Sequence, residues 1–242
     1  MTIKDNFKID LDVTKGFLID INGTLYFKEK EIENAIETID YLKELGLKLL
    51  FLTNTDSKSL KTIHKILNSF GFNIKQNEIF TPIIALKNYL KTVVTNEVKK
   101  EFIEFNLKDS SSNENPDYVI LADFRDDWDV NHLNIAFRFL QNGAELLGSQ
   151  GNVYFLDKKG QPTLDTGSFI NMLSQAANIR PKIFGKPSKD YFLSALDVLG
   201  FKQGEVYLIG DDFHSDILGA QKAKIKGILV KTGKGQYYNE KS

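Results

Sequence analysis

The sequence predicts an α/β fold, with a doubly wound parallel sheet as its core and a second α/β unit inserted within it. Three observations lead there. Short apolar runs alternate with helix-spaced segments at both ends of the chain. Those runs are continuously apolar rather than alternating, the pattern of strands covered on both faces. Between them lies a stretch of different character, opened by a polar segment at 106–117.

The elements follow in order. Phe17-Leu-Ile-Asp20 is an apolar run ending in an acid, with Asn22-Gly-Thr24 just behind it. Residues 33–45 carry Ile36, Ile39, Leu42 and Leu45 at helical spacing, and Gly46 is a stop signal. Lys48-Leu-Leu-Phe-Leu52 reads as the next strand, ending in Thr53-Asn54-Thr55. Leu60, Ile63, Leu67 and Phe70 mark a second amphipathic helix, with Gly71 after it. In the middle, Tyr118–Ala122 and Val153–Leu156 read as strands, His132–Gln141 as a helix and Lys158–Gly160 as a turn. Towards the end, Lys182-Ile-Phe184 is strand-like. Val206–Ile209 is a strand ending in Gly210-Asp211-Asp212, and Gly227–Val230 is the last strand. Alternating strands and helices imply right-handed crossovers and a parallel sheet. The expected organisation is a core formed by 1–83 and 182–242, with 84–181 inserted.

Composition removes several function classes. The chain has 242 residues, a formal net charge of −1 and no cysteine. Disulfide scaffolds, cysteine-ligated metals and thiol nucleophiles are therefore excluded. Near-neutral charge argues against nucleic-acid binding, which needs a basic excess. The basic residues are nearly all lysines, so phosphate would be held by point charges rather than by arginine forks. The N-terminal residues are too polar for a signal peptide, and no apolar run approaches a membrane span. A cytoplasmic chain with no membrane partner is expected.

Three core strands present polar side chains at their C-terminal ends: Asp20, Thr53, and Asp211 with Asp212. Ligands bind at that edge of an open parallel sheet. Each residue alone could be a helix N-cap, but three at one edge are harder to explain so. Asp20, exposed at a glycine-bearing turn, suits a nucleophile for phosphoryl transfer or a magnesium ligand. Asn22-Gly23 could instead be a hairpin turn, though no alternating strand follows. Gly210–Asp216 packs three carboxylates into a short loop, which calls for a hard divalent cation or protons. His214 within it reads as surface decoration. Lys186, held between Gly185 and Pro187, is a restrained charge able to offset carboxylates and grip phosphate.

In this order, the motifs Asp20-x-Asn22-Gly-Thr24, Thr53-Asn54, Lys186 and Gly210-Asp211-Asp212-x-x-x-Asp216 resemble the haloacid dehalogenase (HAD) superfamily. The similarity spans essentially the whole chain. It is strongest to the type IIA, NagD-like subfamily, with an α/β cap domain inserted between the second and third motifs. The resemblance implies a Rossmann-like HAD core and a phosphatase using Mg2+. Asp20 would form an aspartyl-phosphate. The metal would be held by Asp20, the main-chain carbonyl of Asn22 and Asp211, with Asp216 supporting it from behind these ligands or through water and Asp212 as a further candidate. Thr53 and the amide of Asn54 would bind phosphoryl oxygens, and Lys186 would neutralise charge. The segments Gly148–Asn152 and Asp165–Gly167 would lie over the active site. They lack basic residues, which argues against a large polyanionic substrate. Phe124 and Trp128 are expected in the cap core or a subunit contact. The implied partners are a small phosphorylated substrate and, by analogy, a second copy through the cap.

Asn22 departs from the usual pattern, since most HAD phosphatases have a second Asp there to protonate the leaving group. Asn exchanges no proton near neutral pH, and such help is worth about 10²–10⁴-fold in rate. Weak activity on alkyl phosphates is therefore expected. Two other readings remain at this point. A receiver-type phosphoacceptor uses similar residues, but its acidic pair precedes the acceptor Asp and its domain is far shorter. A catalytically impaired HAD domain could bind phosphoryl ligands or proteins without turnover. A P-loop and a dinucleotide fingerprint are both missing.

Overall fold

The computed structural model describes residues 9–92, 116–123, 129–156 and 161–238. Phe124, Trp128, the turn expected at Lys158–Gly160 and nearly all of the polar segment 106–117 lie outside these. The chain divides into two compact units. The first holds the described residues of Met1–Thr53, Lys58–Thr81 and Lys186–Ser242; the second is Asn54–Ser57 with Pro82–Gly185.

The first unit opens with β1 (Gly16–Asp20), a small hairpin of β2 (Tyr26–Phe27) and β3 (Lys30–Glu31), and helix α1 (Ala35–Glu44). Strand β4 (Lys48–Leu52), α2 (Leu60–Ser69) and β5 (Ile79–Phe80) follow. Ser59 caps α2 by accepting from Thr62 N at 3.1 Å. The helix ends before Gly71, whose φ of 96° suits glycine. Its inward face carries Ile63 and Leu67, both buried. Burying one such side chain contributes about 1.5–3 kcal/mol. Beneath it, Phe17, Ile19, Phe51 and Tyr207 form part of one core cluster.

The second unit contains α3 (Pro82–Thr92), β6 (Tyr118–Leu121), α4 (Val130–Gln141), β7 (Glu145–Gly148), the hairpin of β8 (Tyr154–Leu156) and β9 (Pro162–Leu164), α5 (Thr166–Ala177) and β10 (Lys182–Ile183). Strands β10, β7 and β6 form a parallel sheet in that order. Leu121, Leu140, Leu146, Ile170 and Leu173 build its own core.

The chain then returns to the first unit with α6 (Lys189–Leu199), β11 (Val206–Gly210), a wide π-type turn at Phe213–Leu218, α7 (Gly219–Lys222) and β12 (Lys226–Leu229). The finished sheet is parallel throughout, in the order β12-β11-β1-β4-β5. From β1 the chain runs outward through β4, and from β11 it runs outward the other way. The reversal between β1 and β11 is the crevice where ligands settle in such sheets.

The division differs from the expectation of 1–83 with 182–242 around 84–181 in three places: residues 82–83, 182–185 and 54–57 all group with the second unit. Lys182 and Ile183 belong to the second unit because they pair with Leu147 and Gly148. Asn54–Ser57 group there too, since Asp56 accepts hydrogen bonds from Ser149 Oγ and from Thr166 Oγ1. Among the described residues no helix is long and apolar enough to cross a membrane.

Candidate active site

Parallel register puts Ile19 beside Ile209, so Asp20 at the end of β1 and Asp211 just past β11 come together. Both are buried, as are Asp216 and Lys186. Lys186, just ahead of α6, donates from Nζ to Asp20 Oδ1 and to Asp216 Oδ1, the latter at 2.6 Å. Thr24 Oγ1 donates to the second oxygen of Asp20 at 3.1 Å. Carboxylate oxygens of Asp20, Asp211 and Asp216 all lie within 4.8 Å of one another.

Thr53 stands at the end of the adjacent strand β4, 1% exposed. Its Oγ1 accepts from Asn22 Nδ2 at 3.4 Å. Its carbonyl accepts from the buried Tyr191 hydroxyl, 3.0 Å away, which also reaches Phe80 O. The first unit thus brings together Asp20, Asn22, Thr53, Lys186, Asp211 and Asp216. Asn54 is the next residue along the chain and groups with the second unit.

Asp212 turns outward from this cluster. Its Oδ1 accepts from the backbone of His214 and Ser215, at 2.9 and 3.0 Å, and its Oδ2 pairs with Lys234 Nζ at 2.6 Å. That is the N-cap alternative, realised. His214 is exposed, its ring set edge-on to Phe213 and Tyr238. Asn22-Gly23 makes no two-residue hairpin. Gly23 N closes onto Tyr26 O at 2.8 Å, and the short hairpin begins only at Tyr26.

Electrostatics follow from one ammonium serving two buried carboxylates. Burial pushes Asp20 up to about 6, against the pull of Lys186. Burial pushes Asp216 up to about 7, again opposed by Lys186. Asp211 is raised too, by burial, although the Lys234 amide counteracts it. For Lys186, burial alone would lower the pKa, but the charges of Asp20 and Asp216 outweigh it and raise it.

The residues fit a hard divalent cation. Three converging carboxylates and one ammonium leave two negative charges in a buried place, and all the donors are oxygens. Mg2+ suits such a set, because it takes few protein carboxylates and completes its shell with water and phosphate.

Sequence reasoning missed several residues here. Thr24 stands in the Asp20-x-Asn22-Gly-Thr24 motif but was given no role of its own. Tyr191 and the segment Thr232–Lys234 had no signal, because their contacts with the site are long-range.

Comparison with known proteins gives the family. A family model for haloacid dehalogenase-like hydrolases matches residues 17–105, and a HAD-hydrolase-like model matches 183–241. Haloacid dehalogenase-like hydrolase domain-containing protein 2 of Bos taurus is 32% identical over 227 residues, covering 91% of this chain and 85% of its own. The chain belongs to the haloacid dehalogenase-like hydrolase family. Phospholysine phosphohistidine inorganic pyrophosphate phosphatase of Xenopus laevis is 30% identical, covering 94% of this chain and 87% of its own. A thermostable p-nitrophenylphosphatase variant from Bacillus stearothermophilus superposes with a TM-score of 0.77 at 26% identity, covering 93% of this chain and 90% of that one. This member of the family therefore has the HAD fold in its type IIA form, a Rossmann-like core with an inserted cap domain. It is a HAD-superfamily hydrolase.

Proposed function

We propose that this hydrolase is a magnesium-dependent phosphatase of small phosphorylated substrates, working through an aspartyl-phosphate on Asp20. The observation that carries the reading is the buried cluster in which Lys186 bridges Asp20 and Asp216 beside Asp211. A carboxylate oxygen of Asp20 attacks phosphorus, and the bond to the leaving group breaks, its electron pair departing with that group. Water then cleaves the acyl phosphate, returning the carboxylate and releasing inorganic phosphate. Lys186 keeps Asp20 ionised and oriented, and Thr24 fixes its other oxygen. The Thr53 hydroxyl and the Asn54 amide bind phosphoryl oxygens. Magnesium would be held by Asp20, the carbonyl of Asn22, Asp211 and Asp216, and when bound supplies the positive charge that phosphoryl transfer needs.

The leaving group is the point of selectivity. Asn22 bonds Thr53 and carries no transferable proton. Substrates that need none are favoured: aryl and acyl phosphates, pyrophosphate, and phosphoramidates, whose nitrogen protonates before cleavage. The names of two relatives, a p-nitrophenylphosphatase and a phospholysine, phosphohistidine and pyrophosphate phosphatase, point the same way.

A phosphatase screen with magnesium or EDTA tests this, using wild type, Asp20→Asn and Asn22→Asp. Magnesium-dependent turnover of aryl phosphates lost in Asp20→Asn is expected. Asn22→Asp should raise alkyl-ester turnover by about 10²–10⁴-fold. Equal alkyl-ester rates in wild type and Asn22→Asp would overturn the selectivity argument. No turnover of any phosphate by wild type would favour a phosphoryl-binding module.

A further inference from the structure

The segment Thr232–Lys234, beyond β12, contributes no group to the chemistry above, yet it bonds both Asp211 and the backbone of Gly23. Thr232 Oγ1 donates to the carbonyl of Gly23 at 2.6 Å. Two residues on, Lys234 N donates to Asp211 Oδ2 at 2.7 Å. Between them Gly233 has a φ of 46°, and a Cβ there would stand 2.1 Å from Asp211 Oδ2 and 2.7 Å from Gly23 Cα. A Cβ on Gly23, with a φ of 94°, would come just as close to the same oxygen. One carboxylate oxygen of Asp211 is thus seated in a slot between two glycines.

The Asp211 carboxylate and the Gly23 carbonyl are both acceptors, and unassisted they repel each other. A strap that donates to one and then to the other can hold them side by side. Asp211 and the carbonyl of Asn22, the residue before Gly23, are two of the groups proposed to hold the ion, so the strap bears on the first directly and on the second through the adjoining peptide.

We propose that Thr232 is a positioning residue for the divalent-ion site, acting through Gly23, with the Lys234 amide as its counterpart on Asp211. The inference rests on the magnesium reading of this cluster. Side chains that orient metal ligands from behind typically change metal affinity by about 10–100-fold when removed.

The test is magnesium titration calorimetry on the metal-stripped full chain, with no substrate present. Thr232→Val keeps the side-chain shape and removes the donor. Thr232→Ser keeps the donor. We expect Thr232→Val to bind magnesium about tenfold more weakly, and Thr232→Ser to recover wild-type affinity to within about twofold. In turnover, the magnesium concentration for half-activation should rise by the same factor, with kcat at saturating magnesium unchanged. Wild-type magnesium affinity in Thr232→Val overturns the proposal. So does a loss that Thr232→Ser fails to restore, since that would mark a general packing defect. A wild-type chain that binds no magnesium overturns the ion reading itself, and this inference with it.

Discussion

Each unit of the molecule holds a polar centre around aspartate, buried in the first and half-buried in the second, and the two are neutralised in opposite ways. In the first, Lys186 bridges Asp20 and Asp216 with Asp211 close by. In the second, Asp56 is met by hydroxyls, from Ser149 and from Thr166 Oγ1 at 3.3 Å. Beside it Gln150 Nε2 donates to Asp165 Oδ1 at 2.8 Å, and Asn152 N donates back to Gln150 Oε1 at 2.6 Å. Neutral donors satisfy acceptors without cancelling charge, whereas an ammonium does both. The hydroxyl-bound centre can settle by taking a proton, and burial accordingly raises Asp56, against the Ser149 bond that lowers it. In the lysine-bound centre charge remains even when it is fully bonded. Reaction chemistry belongs where charge is held under strain of desolvation, and architecture where it can be discharged.

The sharpest way to break that contrast is to remove the ammonium. Lys186→Met should abolish turnover, because Asp20 loses the partner that keeps it ionised. Breaking a buried ion pair from one side costs about 3–5 kcal/mol. The pH dependence has a definite sign in EDTA. Asp20 and Asp216 already sit near 6 and 7, above their usual value of 3.8. Losing Lys186 raises them further. Groups with raised folded-state values contribute stability below the unfolded value and lose it as pH rises through the folded one. Urea unfolding should therefore show Lys186→Met near wild type at pH 5 and far weaker at pH 8. Equal deficits at both pH values would mean that Lys186 acts by packing alone.

How much of this was legible differs between the two centres for the same reason. Asp20, Thr53 and Asp211 were readable because each follows a continuous apolar strand, and parallel strands deliver their C-terminal ends to one edge; Asp216 was readable from the run of carboxylates in Gly210–Asp216. Lys186 was readable from its Gly-Lys-Pro setting. Strands β1, β4, β11 and β12 announced themselves by apolar runs, but the two-residue β5 and β10 are too short to show a period. Lys182-Ile-Phe184 was read as strand-like, but the run does not say which sheet it joins, and placing it in the core failed because its pairing with β7 assigns it. Asp56 gave no sign, being polar in a polar stretch, and its hydroxyl partners lie 93 and 110 residues away. Thr232 was hidden likewise, its partner Gly23 being 209 residues distant.

A smaller effect separates two glycines of left-handed backbone, one in each unit. Gly23 has a φ of 94°, and its Cβ would collide with Asp211 Oδ2. Gly143, after α4, has a φ of 100° and open space around it. Alanine at either position bears the conformational penalty of about 1–2 kcal/mol. Only Gly23→Ala must also displace the Asp211 carboxylate. By thermal unfolding the two variants should share the backbone deficit, with Gly23→Ala the weaker. Only Gly23→Ala should lose magnesium-dependent activity. Matching activity losses would show that backbone strain, not the slot around Asp211, governs this loop.

The smallest change expected is Asp56→Asn, which leaves an acceptor for Ser149 and Thr166 but removes the titrating charge. With its folded-state pKa raised, Asp56 keeps a proton in the folded chain at pH values where the unfolded chain has released it. Its contribution is therefore present below the unfolded value and disappears as pH rises through the folded one. Asparagine has no such dependence. Wild type should gain on Asp56→Asn in urea unfolding as pH falls from 8 to 5, by at most about 1 kcal/mol. At pH 8 the variant should match or exceed wild type, since a desolvated negative charge has been removed from beside Asp123 and Asp165. A variant weaker at pH 8 than at pH 5, relative to wild type, would reverse the sign. It would mean that Asp56 is held ionised after all, and that the second centre is compensated by charge as the first one is.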